Sequence, residues 1–291
     1  MRALAIVNPA AGGGTARADV DAVLGELRQR FETIDIVETG SEHPTATELG
    51  ERAVREGYEV AIVAGGDGTV GAAAQALVGT NVTLGILPFG SFMNIARALG
   101  IPRDDAHAAA HLIASGATRK IDVGEVAGQV FFEAAGIGLD ADAFHAGRAM
   151  QRGDRRRAFA ALFGLVRRQG ARVSIDVDGK LHRPRVLQAI VCNGPWYGWG
   201  FEVAPGARVD DGLLDLVIFG DSKLRVLREL IAARVEGDRP ARGRRYRAKR
   251  ITFTAAQELI VHADGIVVGP LPKTFTVRPG ALRVFAPSSK R

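Results

Sequence analysis

With 291 residues, 47% apolar and 24% charged, the chain has the composition of a soluble globular protein and the length for one large or two medium domains. Its single cysteine, Cys192, excludes an internal disulfide and fits a reducing cytoplasm. The net charge is +6 and the pI about 9.9, with arginines gathered at 147–172 and 237–250, suited to polyanions such as nucleic acid or anionic lipid headgroups, or else to a solvated surface.

The chain opens with MRALAIVNPAAGGG, whose apolar stretch is too short for a secretory signal and runs straight into a glycine turn. Nowhere does an apolar run approach the roughly 20 residues of a membrane span, so any membrane contact is peripheral. Over the first 120 residues, β-branched runs (ALAIVN, TIDIVET, YEVAIVAG, VTLGILPFG) alternate with segments of helical spacing (TARADVDAVLGELRQRF, HPTATELGERAVREG, GTVGAAAQALVGT). That alternation predicts βαβ units and a mostly parallel sheet covered on both faces. From about Asp122 the texture changes to strands joined by tight turns such as VDGK and RPGA, interrupted by two predicted helices near 154–169 and 222–235. The first of these carries AFAALFGLV between arginine-rich ends, which suits an amphipathic element on an anionic bilayer or an ordinary packed helix.

The fold class is therefore α/β with two domains. Residues 1–122 form the α/β domain and 123–291 a β-rich one.

Three glycine-rich turns, NPAAGGG, GGDGT and PFGS, each follow a strand and precede a helix, and ligands of parallel sheets sit at those strand ends. Gly65, Gly66 and Gly68 let backbone N–H groups approach a phosphate, and the helix that follows adds the positive end of its dipole. Thr69 can donate a hydroxyl. Asp67 would repel bare phosphates and makes sense with Mg²⁺ between them. Asn8 and Ser91 supply polar side chains in the other two loops. None of the three is a P-loop or a G-x-G-x-x-G turn.

In this order and spacing, NPAAGGG, GGDGTVG and LPFGS…NIARALGIP resemble the diacylglycerol kinase catalytic domain. The match continues through KIDVG, FFEAAGIGLDADAF, VCNGPWYGWGFEVAPGARVDDGLLDLVIF and ADGIVVG, and so covers the whole chain. It is most similar to the bacterial soluble lipid kinases of that family, related to sphingosine and ceramide kinases. GGDGT alone is shared with NAD kinases and phosphofructokinase-like folds; the stretch ending in DDGLLD is far more specific. The resemblance implies that 1–122 is the nucleotide-binding domain and 123–291 a sandwich-like lipid-substrate domain, its last residues able to return to the first, with the active site in the cleft between them. It implies ATP contacted by Asn8, Thr39, Gly65, Gly66, Asp67, Gly68, Thr69, Val70, Gly71 and Ser91. It implies Mg²⁺ held by Asp67, with Asp122 supporting that network through water. A second, structural metal would sit on the Asp211 side chain and the backbone oxygens of Arg208 and Leu213. Asp264 would deprotonate the hydroxyl of a lipid, diacylglycerol or a sphingoid base, for attack on the γ-phosphate. The implied partners are a lipid substrate and an anionic membrane surface touched peripherally from the cytoplasm. Nucleic acid is not among them, because the arginines lack a stacking or groove-reading module. The oligomeric state stays open, a homodimer included.

The family's Asp-Gly-Glu segment reads Asp264-Gly265-Ile266 here, so either Asp264 acts alone, or the enzyme is weakened or takes an altered acceptor. Ser91 stands for a threonine, Met93 and Asn94 for polar residues of an Asn-Asp-Phe-Ala-Arg type sequence, and Gly71 for a common asparagine. Two rival readings follow: a nucleotide- or lipid-binding member that has lost catalysis, and an NAD kinase, against which DDGLLD with NPAAGGG argues. Trp196, Tyr197 and Trp199, flanked by glycines, read as a cleft wall for an apolar acceptor or as core. Without the resemblance, Asp211 and Asp264 read as turn residues and His262 as a strand residue.

Overall fold

The computed structural model describes residues 1–11, 16–40, 42–138, 170–198, 200–220 and 243–288. The predicted helices near 154–169 and 222–235, and the bilayer contact expected of the first, lie outside those residues.

The N-terminal part runs β1 (Arg2–Val7), α1 (Ala16–Leu27), β2 (Thr33–Glu38), α2 (Ala46–Arg55), β3 (Val60–Gly65), α3 (Asp67–Leu77), β4 (Thr83–Pro88), α4 (Asn94–Leu99) and α5 (Ala106–Ser115). The strands lie side by side in the order β2-β1-β3-β4, all parallel. Every residue of β3 and β4 is buried, which is why they read as unbroken apolar runs rather than alternating ones. α2 starts on a capping box in which Thr45 and Glu48 satisfy each other's backbone N–H groups. α5 goes beyond the predicted set; Asp105 caps it, its Oδ1 accepting the Ala108 N–H at 2.9 Å.

The second part opens with β5 (Thr118–Val126), β6 (Gln129–Phe131), β7 (Ala134–Gly138), β8 (Ala171–Val177), β9 (Lys180–His182) and β10 (Arg185–Val186). It continues with β11 (Gln188–Cys192), β12 (Trp196–Tyr197), β13 (Phe201–Glu202), β14 (Leu214–Phe219) and β15 (Arg244–Ala248). The last strands are β16 (Arg250–Ala255), β17 (Ile260–Ala263), β18 (Ile266–Pro270) and β19 (Lys273–Phe285). Six of them form an antiparallel sheet, β15-β14-β11-β7-β17-β18. Its inner face meets β8, β16 and β19 over a core containing the fully buried Phe131, Phe253 and Phe275, a sandwich. The Phe253 and Phe275 rings tilt against each other at 4.9 Å.

β19 belongs to both halves. It pairs with β16 from Lys273↔Phe253 to Thr276↔Arg250, and it lies parallel to β4 at Val284↔Leu84. Phe275 sits in the sandwich core, whereas Leu282, Val284 and Phe285 sit in the core of the α/β part.

One predicted turn is corrected. RPGA does not reverse the chain: residues 278–281 stay within β19, where the register against β5 shifts between Arg278 and Leu282. Pro279 has no N–H for the ladder, and Gly280, at φ 57°, kinks the strand and gives its N–H to Asp122 Oδ1 at 2.7 Å. VDGK does turn, with Asp178 at φ 46° and Gly179 at φ 86° closing the β8–β9 hairpin.

Candidate active site

β3 ends at Gly65 and α3 begins at Asp67, so the chain changes course at a single residue, Gly66. Gly66 lies against Gly90 of the β4–α4 loop, close enough that a Cβ on Gly90 would stand 2.5 Å from the Gly66 Cα. Only residues without side chains let these two loops touch. Asn8, after β1, fastens the third loop: its Nδ2 donates to Thr69 Oγ1 at 2.9 Å and its Oδ1 accepts the Ala10 N–H at 3.0 Å. The loops border a cleft of about 1020 Å³, the size of a small-molecule site. Asn8, Gly66, Gly68, Thr69 and Ser91 line it, together with Arg103 and His107, which no motif pointed to.

Not every residue assigned to ATP reaches that cleft. Thr39 is buried at the end of β2 with its N–H on the Val7 carbonyl at 2.8 Å. Val70 and Gly71 are buried faces of α3, where a Cβ on Gly71 would meet Ile95 and Phe132 at 3.9 Å. Gly65 is a buried strand residue.

Asp67 opens α3 and binds the start of α4. Its Oδ2 accepts the Asn94 N–H and its Oδ1 the Ile95 N–H, both at 2.9 Å. Met93, left-handed at φ 48°, is what aims successive N–H groups at one carboxylate. Burial pushes the Asp67 carboxyl above its ordinary range, opposed by these amides and the Arg97 guanidinium.

Asp264 is held in the same manner. In the turn between β17 and β18, at φ 44°, it accepts the Phe132 N–H at 2.6 Å on Oδ2 and those of Glu133 and Ala134 at 3.1 and 3.0 Å on Oδ1. Its pKa is pushed up to about 6, mainly by burial, with the charge of Asp67 adding and the three amides opposing.

A third carboxylate, Glu133, joins them and was missed by sequence reasoning. Burial, then the charges of Asp67 and Asp264, push it well above the carboxylate range. Its Oε2 accepts Asn94 Nδ2 at 2.9 Å and the Gly198 N–H at 3.2 Å. Ile266, at the position of the family's glutamate, is 43% exposed at the start of β18, outside this trio. The chemistry of Asp67 and Asp264 fits Mg²⁺: mutually repelling hard oxygen donors are relieved by a divalent cation beside them, while Glu133 is bound to Asn94 and Gly198. Among the described residues no three such groups stand close enough to enclose a cation alone, so phosphate or water oxygens would complete its shell.

The residues assigned to a second metal gather in the turn before β14. Asp211 Oδ1 accepts the Leu213 N–H at 3.0 Å, and its Oδ2 pairs with the Arg247 guanidinium. Arg247 also stands 3.7 Å from Asp215, which Arg245 holds at 3.1 Å. Arg119 and Arg208 flank Asp210 at 2.8 and 3.1 Å. Both Asp122 oxygens are engaged, by the Gly212 N–H at 2.6 Å and the Gly280 N–H at 2.7 Å, so this residue braces the turn and the β19 bulge. As it stands this donor set does not fit a cation, because a guanidinium already neutralises Asp211. Part of the basic cluster at 237–250 is thereby committed to internal aspartates. Chelating divalent cations with EDTA is expected to leave the Tm unchanged, whereas Arg247→Ala lowers stability by about 1 to 2 kcal/mol, between the surface and buried ion-pair ranges. Calorimetric melting measures both, and a fall of several degrees on chelation would show a structural cation after all.

The aromatic segment is largely occupied by the protein itself. Tyr197 is buried in a small core with Cys192 and Val217, and the Arg97 guanidinium lies 3.4 Å over the Trp196 ring. Tyr197 thus belongs to the core rather than to an acceptor wall; Trp199 lies outside the described residues. His262 is a buried residue of β17.

Residues 2–126 match the model of the diacylglycerol kinase catalytic domain, and residues 134–286 that of the YegS C-terminal NAD kinase beta sandwich-like domain. A diacylglycerol kinase of Mycobacterium tuberculosis (strain H37Rv) is 32% identical over 97% of this chain and 94% of its own length. One from Bacillus subtilis (strain 168) is 30% identical over 99% and 97%. The crystal structure of a diacylglycerol kinase from Bacillus anthracis superposes with a TM-score of 0.78 over 98% of this chain and 96% of that one, at 23% identity, a likeness of fold. With both parts of the chain matched and relatives of this identity aligned over nearly their whole length, the chain belongs to the diacylglycerol kinase family of lipid kinases.

Proposed function

We propose that the chain transfers the γ-phosphoryl group of ATP, with Mg²⁺, to a hydroxyl of a lipid such as diacylglycerol or a sphingoid base. The observation that carries this reading is that Asp67, from the glycine loops, and Asp264, from the sandwich, are joined through Asn94 and Glu133 by hydrogen bonds of 2.9, 2.9 and 3.1 Å. The loops and the N-terminus of α3 suit the triphosphate, and Asn8, Thr69 and Ser91 line the same cleft. When bound, Mg²⁺ neutralises and orients the phosphates. Asp264, with a pKa of about 6, is ionised at neutral pH. It takes the hydroxyl proton as the lipid oxygen bonds to the γ-phosphorus and the bond to the departing ADP oxygen breaks.

Ile266 and Val267, 43% and 59% exposed just beyond the Asp264 turn, supply an apolar lip. That lip supports an acyl-chain acceptor and peripheral contact with a membrane from the cytoplasmic side. No described helix is long and apolar enough to cross one. The test is incubation with labelled ATP and Mg²⁺ beside vesicles carrying diacylglycerol or a sphingoid base, and beside NAD. Label in a lipid is the expected result; label in NAD alone, or in no acceptor, overturns the reading.

A further inference from the structure

We propose that Glu133 is a positioning residue for the transfer step, a strut that keeps Asp67, Asp264 and the aromatic segment 196–198 in one fixed arrangement; this rests on the kinase reading above. Glu133 bonds to Asp264 and to Gly198 directly and reaches Asp67 through Asn94. Its main-chain N–H donates to Asp264 Oδ1 at 3.1 Å. Its Oε2 accepts Asn94 Nδ2 at 2.9 Å, and the Asn94 N–H is the one that holds Asp67 Oδ2 at 2.9 Å. The same Oε2 accepts the Gly198 N–H at 3.2 Å, while Asn94 Nδ2 also donates to the Gly198 carbonyl at 2.7 Å. An unbroken line of hydrogen bonds therefore runs from the nucleotide side to the acceptor side through Asn94 and Glu133. The strut is fixed from behind, its own carbonyl accepting the Asn193 N–H at 2.9 Å.

Asn94 is 1% exposed, so without Glu133 its amide keeps only the Gly198 carbonyl as an acceptor. Truncation at 133 therefore unties Asn94 and Gly198 from the Asp264 side together, leaving them joined to each other. What the line needs is an oxygen at the Oε2 position, which glutamine also supplies. Shifts of about 1 Å in reacting groups cost on the order of 100-fold in rate.

Trp196 lies in this segment and Trp199 follows Gly198 in the sequence; they are the chain's two tryptophans, so acrylamide quenching of intrinsic fluorescence reads the anchoring without any turnover. In the full chain, Glu133→Ala is expected to raise the quenching constant roughly twofold and lower kcat about 100-fold, with KM for ATP within about twofold. Glu133→Gln is expected to keep wild-type quenching and at least about a third of kcat. Asn94→Ala cuts the line at its other end and should reproduce the alanine pattern even if Glu133→Ala does not fold. Wild-type quenching in the alanine variants, or a glutamine variant as slow as the alanine one, overturns the proposal. Failure of the wild-type protein to phosphorylate any lipid would instead sink the kinase reading, and the quenching comparison would still decide whether Glu133 is the strut.

Discussion

Asp264→Asn is expected to cut lipid phosphorylation by roughly 100- to 10,000-fold, the range for losing a general base, while nucleotide binding persists. Asparagine keeps an oxygen that can accept the Glu133 and Ala134 N–H groups and loses only the acceptor of the Phe132 N–H, so two of the three bonds that hold the turn are retained. What it cannot do is take a proton. In the wild-type enzyme the same group sets the pH profile. Only the ionised form is a base, and with a pKa of about 6 half of it is lost at pH 6. Below that, kcat/KM should fall about tenfold per pH unit, with a plateau on the alkaline side. An acid limb centred near pH 4, or an asparagine variant that retains turnover, would remove Asp264 from the role. Stability runs the other way. A carboxyl whose folded pKa lies above its ordinary 3.8 stabilises the fold fully below that value and loses the contribution as pH rises through about 6. At neutral pH the charge to which we assign the proton transfer works against the fold, a conflict typical of active sites.

Asp67 carries the second large effect, and two substitutions separate its two jobs. Asp67→Asn retains an acceptor for one of the two opening amides of α4 and loses the other, a cost offset by removing a charge that repels Glu133 and Asp264. Its Tm should stay within about 2 °C of wild type, the mutation being close to neutral in stability. Its Mg²⁺-dependent affinity for ATP should fall at least about 100-fold, because a neutral amide is a poor partner for a hard dication. Asp67→Ala should lose that affinity and, in addition, about 1 to 2 kcal/mol of stability, the usual cost of removing a helix cap. Titration calorimetry with and without Mg²⁺ measures the first effect and thermal melting the second. Undiminished magnesium-dependent binding in the asparagine variant would show that Asp67 only caps α4.

The parts of this fold legible in the sequence are those decided by near neighbours. The apolar run of β3, the capping box of Thr45 and Glu48 and the Asp178-Gly179 hairpin all act through residues a few positions apart. RPGA misled because the same two properties, a missing N–H and a permissive φ, serve a bulge as well as a turn. Asp122, 158 residues before Gly280, settles which. The glycine loops stood out because close backbone approach has no other solution than glycine. Their flanks did not: the pitch of α3 turns Val70 and Gly71 inward, away from the cleft that Gly68 and Thr69 face. Glu133 had no local signal at all, since its side-chain partners lie 39 and 65 residues away. Asp264 was visible only through the family resemblance, because the amides that bind it come from 130 to 132 residues earlier.

The shared strand β19 has a mechanical consequence. Because one continuous ribbon of backbone is hydrogen-bonded into both halves, with Phe275 locked in one core and Phe285 in the other, the halves cannot swing apart like the shells of a clam without tearing a sheet. Substrate entry is therefore expected through loops and side chains at the rim, and calorimetry is expected to show the two halves melting in one transition.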